Sequence, residues 1–431
     1  MHLLVYTEQI TPRLTWILKE ILGRRLGLDY LVVDDRDAYR HGSVPGITYA
    51  REAVGRRQEM VIVPAGLLEE QGMKADPPPA ARSEEIPLLY PQQTGSLPLD
   101  IFSASFYMLS RYEEYLGFRP DAMGRFPAHE SLAWREGWLD IPVVDLWTTL
   151  LVEKMTQVFK GVKYRIPPGE LLPTYDIDQT FAFRHKSLLR LIGGGLRENN
   201  LRERWQVWRG KKKDPFDTFR EIIRLHDAGS RSPVFFFHTG RWGRYDKSIA
   251  PEKREVRDVI RLCSYAADVG IHPSVRAAQN PGLIADEKER LEKSAGIKVV
   301  MSRMHYLMFR FPEIPRALLA AGIEEDFSMG FPEMPGFRAG TCHPFSWYDL
   351  EREEDTSLLF MPLTVMDAAL RRGLNATSEE VPDYLEQYRK KTDEHGGVFV
   401  TLWHNHTFAG AGEWHGWGEA YRTWMNKYLH G

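Results

Sequence analysis

Asp176 and Asp178, separated by one residue after the apolar run Leu172–Tyr175, are the first pair whose types and spacing could do chemistry. In extended backbone, residues i and i+2 project to one face. Two carboxylates there repel each other unless a cation or a shared proton lies between them. The structural alternative is a turn or helix-capping aspartate ahead of Gln179-Thr180-Phe181. Further along, residues of catalytic type again stand where apolar runs finish: His238, His272, Arg303 with His305 at i and i+2, Arg338, and finally His404. A single histidine in such a place is adequately explained by a structural role. The recurrence at successive run ends points instead to one site. Carboxylates with imidazoles and no thiolates suit Zn²⁺ or another divalent metal that holds water.

The elements that must position these residues form two unequal parts. From about residue 166 the apolar runs Leu172–Tyr175, Val234–Phe237, Val269–Ile271, Ile297–Met301, Leu358–Pro362 and Val398–Trp403 recur, with a weaker one at Gly322–Phe327. Helix-like segments lie between most of them, at Asp217–Ala228, Glu252–Ala267, Ala285–Ser294, Ile314–Ala321 and Val381–His395. Strands alternating with helices predict a parallel α/β sheet, wrapped into an incomplete barrel. Sites in such folds lie at the C-terminal ends of the strands. Residues 1–165 predict a smaller α/β layer, with strands at 2–6, 30–34 and 60–64 and a helix over Leu14–Leu28. A proline-rich connector (75–98) follows, then an amphipathic helix over Phe102–Tyr115 whose Glu113 and Glu114 read as a solvated face.

With 431 residues, the chain is long enough for two or three domains. Its 43% hydrophobic content supplies a large core, and a net charge of −3 gives no reason to expect nucleic acid. Two cysteines exclude a disulfide scaffold and an all-cysteine zinc site. There is no apolar run of membrane-spanning length, and the N-terminal segment lacks a secretory layout, so a cytoplasmic protein is expected. Ten Lys/Arg lie within 184–213, among them Arg190, Arg197 and Arg209, with Trp205 and Trp208 interleaved. They could grip an anionic glycan, but Gly193–Gly195 favours a solvated loop. Trp414, Trp417, Tyr421, Trp424 and Tyr428 have the spacing of a packed helix face, and Cys342 reads as a bystander.

The order of these motifs resembles the polysaccharide deacetylase family, carbohydrate esterase family 4, over roughly 170–410. The family's aspartate pair after an aromatic resembles Thr174-Tyr175-Asp176-Ile177-Asp178, with one residue inserted between the acids. Its phenylalanine strand resembles Pro233–Phe237, and its histidine motif resembles Val269–Ser274. Its arginine motif resembles Phe337-Arg338-Ala339-Gly340, with Gly340 replacing a proline, and its late motif resembles Leu402-Trp403-His404. Residues 1–165 are similar to an uncharacterised domain found ahead of deacetylase-like domains in bacterial proteins.

The resemblance implies a distorted seven-stranded (β/α) barrel and one divalent metal, with zinc the best match to the donors. It also implies removal of acyl groups from a saccharide or small-molecule substrate. One departure is sharp: Arg276 stands where the family places its second metal histidine, and a guanidinium has no lone pair to offer a metal. Either His305 replaces that ligand or the chain is a non-catalytic carbohydrate-binding relative. On the first alternative Asp178, His272 and His305 hold the metal, Asp176 is the general base and His404 the general acid. Arg338 then orients Asp176, Arg303 and Trp403 contact substrate, and Asp367 orients His404 or Arg338. The site requires the strand ends near 176, 238, 272, 303, 338 and 404 to meet on one rim.

Overall fold

The computed structural model describes residues 2–83, 86–161, 164, 166–186, 201–226 and 232–430. Arg190, Arg197 and Gly193–Gly195 of the basic stretch lie outside these residues. The N-terminal region builds a four-stranded parallel sheet in the order β2-β1-β3-β4, from β1 (His2–Thr7), β2 (Asp29–Val33), β3 (Gly46–Tyr49) and β4 (Glu59–Ile62). A short antiparallel hairpin, β5 (Ala80–Ser83) and β6 (Ile86–Leu89), occupies part of the proline-rich connector. The helix expected over Leu14–Leu28 begins at Pro12, capped by the Thr11 hydroxyl, and widens into π-type turns over Lys19–Arg25.

The larger sheet has nine strands: β7 (Glu170–Ile177), β8 (Val234–Phe237), β9 (Asp268–Ile271), β10 (Met301–Ser302), β11 (Glu325–Asp326), β12 (Phe345–Asp349), β13 (Glu354–Phe360), β14 (Leu363–Met366) and β15 (Val398–His404). Their order is β12-β13-β11-β10-β9-β8-β7-β15-β14, and every neighbouring pair is parallel except β12 with β13. This is the α/β class expected, with a large, predominantly parallel sheet. Among the described residues no strand pairing joins the edge strands β12 and β14. β8, Val-Phe-Phe-Phe, is buried along its whole length, as a strand covered on both faces must be.

Register explains how the rim forms. Asp176 pairs across to His404 on one side and Phe236 on the other; Phe237 pairs with Ile271, and Ile271 with Ser302. The residues just beyond these level ends are Asp178, His238, His272 and the Arg303–His305 stretch. Two of the apolar runs shrink to two-residue strands: only Met301–Ser302 and Glu325–Asp326 pair.

The stretch read as an amphipathic helix over 102–115 is neither amphipathic nor solvated. Its helix, Ile101–Leu109, is buried on every side and starts at Asp100, whose carboxylate accepts from the N–H groups of Phe102 and Ser103. Glu113 and Glu114 are 7% and 6% exposed. Arg111 Nε bonds Glu114 (2.8 Å) and its Nη2 bonds Glu113 (2.9 Å). Arg338, more than two hundred residues later, closes on Glu114 through Nε (2.9 Å) and Nη2. Burial would raise the Glu114 carboxyl, yet Arg338 and Arg111 hold it below the ordinary carboxylate range. Trp16 Nε1 donates to Ser346 Oγ (2.9 Å), and one apolar core runs from Leu3 through to Met425. The N-terminal region and the large sheet therefore share their interior.

Removing one member of such a buried ion network leaves an uncompensated charge, a loss of about 3–5 kcal/mol. Glu114→Ala should lower unfolding free energy by that amount in a denaturant titration. A loss below about 1 kcal/mol, the range of exposed pairs, would contradict the buried network.

Candidate functional site

Asp178, just past the end of β7, faces His272 and His305 on the rim, and the three can offer ligand atoms all within 4.8 Å of one another. Its Oδ1 lies 3.2 Å from His272 Nε2 and 3.5 Å from His305 Nε2. A tetrahedral zinc with bonds of ~2.0–2.1 Å separates neighbouring donors by roughly 3.3 Å, so the spacing fits one such ion.

The protonation pattern makes the fit more specific. His272 Nδ1 contacts the backbone carbonyl of Arg303, which can only accept, so Nδ1 carries the hydrogen and Nε2 presents a lone pair. His305 Nδ1 bonds Asp246 Oδ1 at 3.0 Å, which likewise turns its Nε2 lone pair toward Asp178. Asp246 is itself fixed by His238 Nε2 (2.9 Å) and the Val275 N–H (3.1 Å). His238 Nδ1 accepts from the Gly240 N–H (3.0 Å), and burial pulls its pKa down to about 4. A Cβ on Gly240 would lie 2.6 Å from the His238 ring, so only glycine lets this amide approach.

Two imidazole lone pairs thus point at a carboxylate oxygen that is screened from solvent and has no hydrogen-bond partner. Such a contact is repulsive without a cation between. A proton can serve: burial pulls His305 down, but Asp178 and Asp246 outweigh it and lift its pKa to about 9. The same pairing holds Asp178 well below the usual carboxylate range, against its burial. The donor set, one carboxylate oxygen and two imidazole nitrogens, suits a divalent metal equally well.

Around this cluster stand further groups. Asp176 Oδ2 is 3.5 Å from His272 Nε2, while its Oδ1 accepts from Arg303 Nη1 at 3.0 Å. His404, at the end of β15, has its Nε2 3.9 Å from Asp178 Oδ2. Asp367, just after β14, takes the His404 backbone N–H (2.9 Å) and its Nδ1 (2.8 Å). Burial lowers His404, but Asp367 and Asp178 prevail and raise it to about 10. A cavity of about 350 Å³ opens over the cluster; Asp176, Asp178, His272, His305 and His404 line it together with Arg125, Tyr306, Arg372, His406 and Trp414.

Three expected site residues lie elsewhere. Arg338 is held by Glu114 and the Gly330 carbonyl, and the guanidinium beside Asp176 belongs to Arg303. Arg338 lies in the loop between β11 and β12, where its guanidinium is taken by Glu114, whereas Arg303 directly follows β10. Arg303 is itself fully buried, over the Phe236 ring and bonded to Thr174 and the Phe327 carbonyl. Trp403 is fully buried and stacked on Tyr421 at 4.3 Å, because alternate β15 side chains point into the sheet's packed face. Arg276 is exposed on the Val275–Gln279 helix. Cys342 is buried, its Sγ on Asp145. Asp246, Arg125, Tyr306 and Arg372 carry no sequence signal; all lie in segments between strands, where no spacing marks them.

Comparisons with known proteins place the chain only distantly. Residues 3–160 match the model of a family of unknown function, DUF7033. No curated protein matches the chain. Among solved structures it is similar to a candidate polysaccharide deacetylase from Mycobacterium smegmatis, at 15% identity and TM-score 0.43, covering 62% of this chain and 87% of that one. A Puue allantoinase is similar at 11% identity and TM-score 0.39, over 60% and 83% of the two chains. A mutant CE4 family pseudoenzyme with restored enzymatic activity is similar at 12% identity and TM-score 0.30, over 62% and 64%. No helix of the described residues is long and apolar enough to cross a membrane.

Outer partners of metal-binding histidines typically contribute 10–100-fold to affinity. Asp246→Ala should therefore weaken zinc binding by about that factor in a competition titration with a chelating dye. Wild-type affinity in this variant would show that Asp246 does not orient a ligand.

Proposed function

We propose that this chain is a divalent-metal-dependent hydrolase that removes an acyl group from a saccharide or a related C–N or C–O substrate. The observation that carries the reading is the convergence of Asp178 Oδ1, His272 Nε2 and His305 Nε2, with the carboxylate oxygen 3.2 and 3.5 Å from the two ring nitrogens in a buried cluster. The division into an N-terminal accessory region (1–165) and a deacetylase-like region (166–431) belongs to the same proposal. Asp178, His272 and His305 would hold a divalent metal such as zinc, and the chemistry it would supply there is Lewis acidity toward a water and an acyl carbonyl.

The chain's own residues do the rest. Asp176 accepts the proton of the attacking water; Arg303 occupies its Oδ1 and leaves Oδ2 toward the cavity. His404, whose Nδ1 is held by Asp367, donates its Nε2 proton to the departing amine or alkoxide. Asp367, by holding both the backbone and the ring of His404, fixes the direction of that donation. The cavity, about 350 Å³, matches a sugar-sized group.

Arg276, at the position that the resemblance reserves for a histidine, favours a second reading, a carbohydrate-binding relative without catalysis. Its exposure sets it apart from the cluster, so it neither fills nor blocks the cavity. Zinc-loaded protein should release acetate from a panel of N- and O-acetylated sugars, lose that activity to a chelator and regain it with zinc. His404→Ala should lower kcat by ~10²–10⁴-fold with zinc content unchanged. One bound zinc without turnover of any acylated sugar would favour the binding reading.

A further inference from the structure

Tyr306 and Leu307, immediately after His305, both have left-handed backbones, with φ of 57° and 52°. Residues with bulky side chains adopt this conformation only at a steric cost, so something must hold them there. Leu307 is anchored in the apolar cluster with Phe236 and Phe327. Its amide and that of Met308 close the turn on the Met304 carbonyl (2.9 Å) and the His305 carbonyl (3.2 Å). Tyr306 is 40% exposed, so packing alone does not fix it; its ring lies 4.3 Å from that of His305 and forms part of the cavity wall.

What does grip Tyr306 comes from the N-terminal region. Arg125 Nη1 donates to the Tyr306 carbonyl at 2.7 Å. The guanidinium is aimed by Asp121, which takes its Nε and Nη2 at 2.7 Å each. Asp121 is in turn tied into its own loop by the N–H groups of Met123 (2.8 Å) and Arg125 (2.9 Å). Arg125 thus sits in a self-locked loop, and its side chain also walls the cavity. A second link, the Ala128 N–H on Glu333 Oε1 (2.6 Å), fastens the same stretch to the large sheet's loops.

We propose that the N-terminal region is a working part of the site: Arg125 is a positioning residue that holds the strained Tyr306–Leu307 turn and, through it, the His305 imidazole. The segment matching the family of unknown function thereby presets one ligand and builds one wall of the cavity.

The test is hydrogen exchange on the full-length, metal-free protein, comparing wild type with Arg125→Ala and Arg125→Lys. Arg125→Ala should speed exchange at the Leu307 and Met308 amides by about tenfold, equivalent to about 1.4 kcal/mol. The β7 and β8 amides should keep their wild-type protection. Arg125→Lys, which retains the charge but not the forked donor geometry, should fall between the two. Zinc affinity should weaken in the same order. Unchanged exchange at Leu307 and Met308 would overturn the proposal, as would an increase spread evenly over the strands. The exchange result stands without metal, so a wild-type protein that takes up no zinc would sink the hydrolase reading and leave this one decided separately.

Discussion

One oxygen atom sets the terms for this site. Asp178 Oδ1 is screened from water, receives no hydrogen bond, and faces two imidazole nitrogens whose other ring atoms are already committed as donors. Three electron-rich atoms within this distance are stable only around positive charge. The surroundings are arranged to keep that demand in place. His272 is locked by a backbone carbonyl, while His305 is locked by Asp246, which His238 and a main-chain amide hold. Buried polar groups thus fix the orientation of both rings, as the outer partners of metal-binding histidines do.

The sheet provides the level platform. Because β7, β8, β9, β10 and β15 run parallel with their ends in register, groups spread over more than two hundred residues arrive at one rim. The cations in the neighbourhood have separate roles. Arg303 lies beneath the site and neutralises Asp176, whereas Arg338 ties the N-terminal region to the large sheet through Glu114. Arg125 comes from the N-terminal region and bonds the turn after His305.

Much of this was legible in the sequence, and the limits of legibility are physical. The i, i+2 spacing of Asp176 and Asp178, and histidines one residue beyond apolar runs, survive because strand geometry converts sequence spacing directly into direction. Residues whose role depends on a partner far along the chain were not legible: Glu114 looked solvated because Arg338 lies more than two hundred positions away, and Arg338 looked catalytic because its motif carries no record of Glu114. Arg303 and Trp403 failed differently. Both are fully buried: Trp403 has the phase in β15 opposite to that of His404, and the Arg303 guanidinium reaches inward to Thr174 and Asp176. The short strands β10 and β11 blurred the strand rhythm, since two residues cannot carry a periodic pattern. Asp246 and Arg125 lie in irregular segments, where no period exists to be read.

The proposed site stands or falls on whether a metal, and not only a proton, satisfies Asp178 Oδ1. X-ray absorption at the zinc edge on zinc-loaded protein, together with anomalous diffraction to locate the ion, addresses this most directly. The expected result is one zinc per chain with two imidazole nitrogens and a carboxylate oxygen at ~2.0–2.1 Å, seated between Asp178, His272 and His305. A zinc held by other residues, or a metal-replete protein with no zinc at that position, would contradict it.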